Sequence, residues 1–201
     1  MNIAITGTSS GVGRELSNQL GKNNTIISIT RNKLDLSNIV DVSDYIIPSI
    51  DMLINCAGTD CGGKVDFINQ NQESITKILS TNLLAPVLLA KKALSVNPKC
   101  KIVNLTSTNN KRYWPNNLAY SLSKKALAEF GNMLQVEYPN INYLEIQLGL
   151  TKTNFNQNRY VGYEERFNDV YVNPHLTVDT VVKKILDVLF DPNIKFIEIA
   201  P

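Results

Sequence analysis

Tyr120 and Lys124 stand four residues apart in Ala119-Tyr120-Ser121-Leu122-Ser123-Lys124, so a helix carries them on one face. A phenol ordinarily keeps its proton up to a pKa of about 10, too high for acid–base work near neutrality. An ammonium one turn away favours the phenolate and brings it toward the working range, more so with another cation close by. Lowering that pKa by about three units takes roughly 4 kcal/mol of differential stabilisation, within the reach of partly buried charges. The chemistry such a pair supports is proton transfer to or from an oxygen. Exposed Tyr–Lys pairs are common on helices, so the company this one keeps decides. Lys101-Ile102-Val103-Asn104-Leu105-Thr106-Ser107 reads as a buried strand ending in a hydroxyl, thirteen residues before Tyr120. Ligands in open α/β sheets sit beyond the carboxyl ends of the strands, which places Ser107 at the same crevice.

The elements that must position these groups follow from the apolar pattern. Strands are expected at Asn2–Thr6, Thr25–Thr30, Leu34–Leu36, Met52–Asn55, Lys101–Leu105, Tyr143–Gln147 and Lys195–Ile199. Most are near-continuous apolar runs, as in strands covered on both faces. Helical patterns lie between them near 11–20, 38–47, 70–95, 118–137 and 177–189. Gly21 and Pro192 punctuate the first and last of these. Alternating strand and helix predicts a doubly wound α/β fold, a parallel sheet of about seven strands with helices on both faces. No repeat or linker divides the chain, so residues 1–201 read as a single domain. Only Arg31, Asn32 and Lys33 separate the second strand from Leu34, a shortened second βα unit. The segment at about 154–175 is long, polar and studded with aromatic residues, and reads as a substrate loop or lid.

Thr6-Gly7-Thr8-Ser9-Ser10-Gly11-Val12-Gly13 joins the first strand to the first helix. Its glycines allow a tight turn and close approach of backbone N–H groups to a ligand. The helix N-terminus directs its partial positive charge at the same place, which suits a diphosphate. Ile54-Asn55-Cys56-Ala57-Gly58 ends another strand in small residues. Asn82 lies mid-helix between apolar runs, the place of a buried hydrogen-bonding side chain or a satisfied core amide.

Taken together, these motifs resemble those of the short-chain dehydrogenases/reductases over nearly the whole length. The turn at 6–13 is similar to T-G-x-x-x-G-x-G, and Asn55-Cys56-Ala57-Gly58 to N-N-A-G with Cys56 in place of an asparagine. Asn82, Ser107, Tyr120 and Lys124 match the catalytic tetrad. Leu148-Gly149-Leu150-Thr151-Lys152-Thr153 resembles P-G-x-x-x-T, with Leu148 where the family has proline. The resemblance implies a Rossmann-type fold, a nicotinamide cofactor and carbonyl/alcohol redox chemistry on a small molecule. By the same resemblance Tyr120 exchanges a proton with the substrate oxygen, Ser107 hydrogen-bonds that oxygen, and Lys124 lowers the tyrosine pKa and holds the nicotinamide ribose. Asn82 would bind a water leading from Lys124 to solvent. Gly7, Ser9, Ser10, Gly11, Val12 and Gly13 would surround the pyrophosphate and adenosine side. Asn55, Cys56, Ala57 and Gly58 would line the cofactor, with Gly149, Thr151 and Thr153 at its nicotinamide end.

Cofactor choice turns on the end of the second strand, where the family places a carboxylate for the ribose of NAD. Here the strand ends Ser28-Ile29-Thr30-Arg31. A guanidinium suits a 2′-phosphate through paired hydrogen bonds, so NADP(H) is preferred and NAD(H) remains an alternative. Asp35 and Leu36 fall beside the adenine rather than the ribose. Lys111, Arg112, Tyr113 and Trp114, with the 154–175 segment, should meet the substrate or simply form its rim.

Composition narrows the alternatives. Twenty Lys+Arg against 18 Asp+Glu leave a net charge of +2, without the concentrated basic face of a nucleic-acid binder. The longest apolar run, Leu83–Ala90, falls short of the ~20 residues of a membrane helix. No basic leader precedes Asn2-Ile3-Ala4, and Cys56, Cys61 and Cys100 have no metal-ligand spacing, so a cytoplasmic protein with free thiols and no metal is expected. Two other readings share the motifs: an extended-type nucleotide-sugar reductase or epimerase, for whose added domain the chain has little room, and a non-catalytic NADP sensor, to which a poised proton donor is useless. The resemblance also implies a homodimer or homotetramer paired through the helices of Asn82 and Tyr120.

Overall fold

The computed structural model describes residues 1–61, 65–111, 115–155 and 174–201. Its six strands are β1 (Asn2–Thr6), β2 (Thr25–Ile29), β3 (Met52–Asn55), β4 (Lys101–Ser107), β5 (Tyr143–Leu148) and β6 (Phe196–Ile199). They form one sheet in the order β2-β1-β3-β4-β5-β6, every neighbouring pair parallel. Parallel neighbours need crossovers, and the helices that supply them cover both faces. On one face α1 (Gly11–Leu20) and α6 (Val178–Leu189) set Leu16, Leu20, Val181 and Ile185 against Ile3, Ile54, Val103 and Ile146. On the other, α2 (Ile39–Asp44), α4 (Ala85–Val96) and α5 (Leu118–Glu137) set Val42, Leu89 and Phe130 against Ala4, Leu53, Ile102 and Tyr143. Strands clothed twice must be apolar at successive positions, which is why their sequences do not alternate.

The chain leaves β1 for β2 on one side and returns to β3 on the other. This reversal opens a crevice at the carboxyl ends of β1 and β3. Near it the sheet departs from expectation. Leu34 and Asp35 are irregular chain between two turns, the second beginning at Leu36, and among the described residues the sheet has six strands where about seven are expected. Three intervening residues are too few for the crossover a parallel neighbour of β2 requires. Instead Lys33 and Leu34 donate their N–H groups to the Thr30 carbonyl. Leu34 and Leu36 then bury themselves among the core residues beside α2. The α2 helix spans six residues rather than the expected 38–47. Asn38 caps its start by accepting from Val40 and Asp41 N–H, and Pro48 bars the helical conformation at Ile47.

The helical run expected at 70–95 divides into α3 (Gln72–Leu79), a π-turn at Ser80–Leu84, and α4. Pro86 has no N–H to offer the carbonyl of Asn82 four residues earlier, so regular α-helix cannot pass through this point. Gln72–Val96 is long and apolar enough, by length and composition, to cross a membrane. Its apolar side is spent on the sheet, where Ala85, Leu89, Ala90 and Ala93 are fully buried.

The long α5 helix lies close over β5 because Gly131 admits the ring of Tyr143. A Cβ at Gly131 would fall on the Tyr143 hydroxyl. Gly131→Ala should therefore cost about 1–3 kcal/mol through overpacking, read as a lowered urea midpoint with an unchanged m-value. An unaltered midpoint would contradict this seating of α5.

Candidate active site

The turn after β1 is built at backbone contact distance. Gly7 and Gly11 have φ of 75° and 55°, the left-handed region that glycine enters without penalty. A Cβ on Gly7 would sit 2.9 Å from the Ala57 Cα, and one on Gly13 would strike the Gly7 carbonyl oxygen. The Thr6 hydroxyl fastens this turn to the loop after β3 by accepting from Cys56 N–H (3.0 Å) and Ala57 N–H (2.9 Å). At the start of α1 the Ser10 side chain makes no capping bond, and the first turn holds no acidic residue. Its N–H groups are therefore left to a ligand, and no carboxylate repels an anion there. These features fit a dinucleotide diphosphate.

A cleft of about 1270 Å³ runs from this turn over the carboxyl ends of the strands. Gly7, Ser9 through Gly13, Arg31, Asp35, Leu36, Cys56, Ala57, Gly58, Ser107, Tyr120, Lys124, Gly149, Thr151 and Thr153 all line it. The 149–153 segment reaches the turn despite Leu148, since a Cβ on Gly11 would lie 3.4 Å from the Thr153 methyl. A parallel bridge between Thr151 and Leu176 supports this segment.

At the far end, Ser107 closes β4 with its Oγ accepting from Asn109 N–H at 3.2 Å. The Tyr120 ring, 7% exposed, lies 5.6 Å from the Phe155 ring at a tilt of 57°. Lys124 Nζ donates to the Leu105 carbonyl at 2.9 Å. Burial pulls the Lys124 pKa down to about 8, with Cys56 acting the other way. Cys56 is itself half-buried. Its desolvation raises the pKa to about 12, opposed by Lys124, so it stays protonated and unreactive.

Two amides sit away from the cleft. Asn82, in the π-turn and wholly buried, accepts from Thr59 N–H and donates to Thr59 O, both at 2.8 Å, and donates to Ser123 Oγ at 3.1 Å. Ser123 Oγ passes the bond on to the Tyr120 carbonyl at 2.7 Å. Both donor hydrogens of the Asn82 amide are thus taken. Asn55, expected along a cofactor, instead donates beneath α5 to Asn104 Oδ1 at 2.9 Å, and Asn104 donates to the Tyr143 hydroxyl at 3.3 Å. The pleat turns Asn55 to the sheet face opposite the glycine turn.

The nucleotide end holds residues that sequence reading overlooked. Asp35 accepts from Ser37 N–H (2.9 Å) and Ser37 Oγ (2.7 Å). These bonds hold its carboxyl below the usual range, Arg31 and then Lys77 adding smaller effects. Ser37 and Lys77 line the cleft; no local motif marks Lys77, which arrives from α3. At the opposite rim Lys111 pairs with Glu198 at 2.8 Å and lies 5.1 Å over the Phe196 ring. Gln147 holds the same turn by donating to Asn110 Oδ1 at 2.6 Å. Arg112, Tyr113, Trp114 and most of the expected lid, 156–173, lie outside the described residues. Among the described residues no cluster of His, Cys, Asp or Glu could hold a metal.

Lys124 makes stability depend on pH. Its pKa is about 8 when folded and near the ordinary lysine value of 10.5 when unfolded, so between these values the unfolded chain binds the extra proton. Stability from this group therefore rises with pH across that window. Relative to Lys124→Met, the wild type should gain up to roughly 1.4 kcal/mol per pH unit, seen in urea unfolding at several pH values from 7.5 to 10. A difference independent of pH would contradict enclosure of the ammonium.

Known proteins resemble this chain in sequence and fold. The family model described as short chain dehydrogenase matches residues 31–163, more than half of the chain. An NADP-dependent 3-hydroxy acid dehydrogenase of Schizosaccharomyces pombe is 26% identical, aligned over 92% of this chain and 85% of its own. A 3-ketodihydrosphingosine reductase of Bacteroides thetaiotaomicron is 27% identical over 90% of this chain and 76% of its own. The solved 4-hydroxyisoleucine dehydrogenase complexed with NADH superposes with a TM-score of 0.84 at 22% identity, covering 100% of this chain and 97% of that one. With the family model spanning Ser107, Tyr120 and Lys124, this chain belongs to the short-chain dehydrogenase family of NAD(P)-dependent oxidoreductases.

Proposed function

We propose that this oxidoreductase interconverts a carbonyl and an alcohol on a small molecule, with Tyr120 as the acid–base group and NADP(H) as the favoured cofactor. The observation that carries the reading is the meeting of Ser107, Tyr120 and a buried Lys124 on one cleft whose other end is the glycine turn. When bound, the nicotinamide supplies or accepts hydride. The chain's own residues manage the oxygen and its proton. Ser107 Oγ accepts from Asn109, which leaves its hydrogen to donate to the substrate oxygen. Lys124 spends one donor on Leu105 and keeps two for ribose hydroxyls, while its charge favours the Tyr120 phenolate. Tyr120 gives its proton to the carbonyl oxygen in reduction and takes it from the hydroxyl in oxidation. Asn82 anchors α5 through Ser123.

Arg31 supports NADP(H), because β2 ends without a carboxylate and Asp35 is engaged by Ser37. Among the relatives above, one is named for NADP and another was solved with NADH, so NAD(H) stays the second choice. Leu118 and Leu122, half-exposed on α5, support pairing of two copies through this helix.

Tyr120→Phe should cut kcat by two orders of magnitude or more while the dissociation constant for NADPH changes less than threefold. Full turnover in that variant rules out the acid–base role. Arg31→Ala should weaken NADPH about tenfold by fluorescence titration and leave NADH nearly as it was; equal affinities for the two in both proteins would reverse the cofactor preference.

A further inference from the structure

We infer that the Lys111–Glu198 pair selects a zwitterionic substrate, an alcohol or ketone bearing a carboxylate and an ammonium group together. The inference rests on the carbonyl–alcohol reading above. Both side chains line the cleft that holds Ser107 and Tyr120, and they reach it from separate places, the turn after β4 and the edge strand β6. They meet at 2.8 Å with side chains 58% and 40% exposed, so parting them costs little.

Each member is paired yet unsaturated. The Lys111 ammonium has three donors; one is on Glu198, and the Phe196 ring lies beneath it at 5.1 Å. Glu198 has acceptor sites beyond the one Lys111 occupies. The Gln147–Asn110 bond holds the turn that carries Lys111. A substrate with one charge would meet a partner already neutralised. A neutral alcohol would leave the pair closed and gain nothing from it. A molecule with both charges can exchange partners at both ends, carboxylate to Lys111 and ammonium to Glu198, leaving no charge unpaired as water leaves. The redox step itself is unchanged: the carbinol C–H leaves as hydride to the oxidised nicotinamide, the O–H proton goes to Tyr120, and a ketone forms.

Four compounds sharing one secondary alcohol separate the charges: threonine in each stereoisomer, 3-hydroxybutyrate without the ammonium, threonine methyl ester without the carboxylate, and 2-butanol without either. With NADP+, the wild type should show kcat/KM for one threonine isomer at least 10-fold above either singly charged compound. Lys111→Met should bring the threonine-to-ester ratio close to one, and Lys111→Arg should restore part of it. Glu198→Gln should do the same to the threonine-to-hydroxybutyrate ratio. Calorimetric binding of threonine to Tyr120→Phe enzyme saturated with NADP+ should show the same dependence without turnover. Equal rates on all four compounds, or variants that lower all four by one factor, would overturn the inference and leave the pair a fastening of the turn. Turnover confined to neutral compounds overturns it while the carbonyl–alcohol reading survives; no turnover on these or on a wide carbonyl panel overturns that reading instead.

Discussion

Lys124 keeps an ammonium out of water against the carbonyl of Leu105, and much of the surrounding structure is what lets it stay there. An enclosed cation is costly, and the fall of its pKa to about 8 expresses that cost. It remains charged near neutrality because that lowered pKa still lies above 7, and its helix holds it in place. Gly131 seats α5 on Tyr143, and the bonds from Thr59 through Asn82 to Ser123 fix the turn that bears Tyr120 and Lys124. The charge on which the proposed role of Tyr120 depends is thus held in place by neutral hydrogen bonds and close packing.

The nucleotide end works by the opposite device, removing side chains so that backbone can act. Gly7 and Gly13 bring the turn and the first coil of α1 into contact, and Thr6 binds both to the loop after β3. The result is a helix start without a side-chain cap from Ser10, a place that suits a diphosphate. Shortening of the second crossover alters the adjoining wall. Without a paired strand beyond β2, a turn anchored by the Asp35–Ser37 bonds brings Arg31 and Asp35 to the cleft, and Lys77 faces them from α3.

Much of this was legible in local spacing. The four-residue interval of Tyr120 and Lys124, the glycine turn, and the strand ending at Ser107 each depend on geometry within a few residues of chain. The doubly wound class followed from apolar runs too continuous for a half-exposed sheet. What misled was local evidence with a non-local outcome. Leu34-Asp35-Leu36 has strand-like composition, but its closeness in sequence to β2 denies it a place beside that strand. Asn55 sits in a motif next to the cleft, yet the pleat turns it to the opposite face, where it serves Asn104 and Tyr143. Asn82 carries the polar character expected of it, but Thr59 and Ser123 use up its amide.

By itself, then, the sequence determined the fold class, the glycine turn and the shared face of Tyr120 and Lys124, because backbone sterics and helical periodicity act within one or two turns. Tertiary structure decided which side each polar strand residue faces, how deeply Lys124 is buried, and that Lys111 meets Glu198 across 87 residues of chain. Those outcomes depend on strand register and crossover path, which arise only when distant segments compete for the same core.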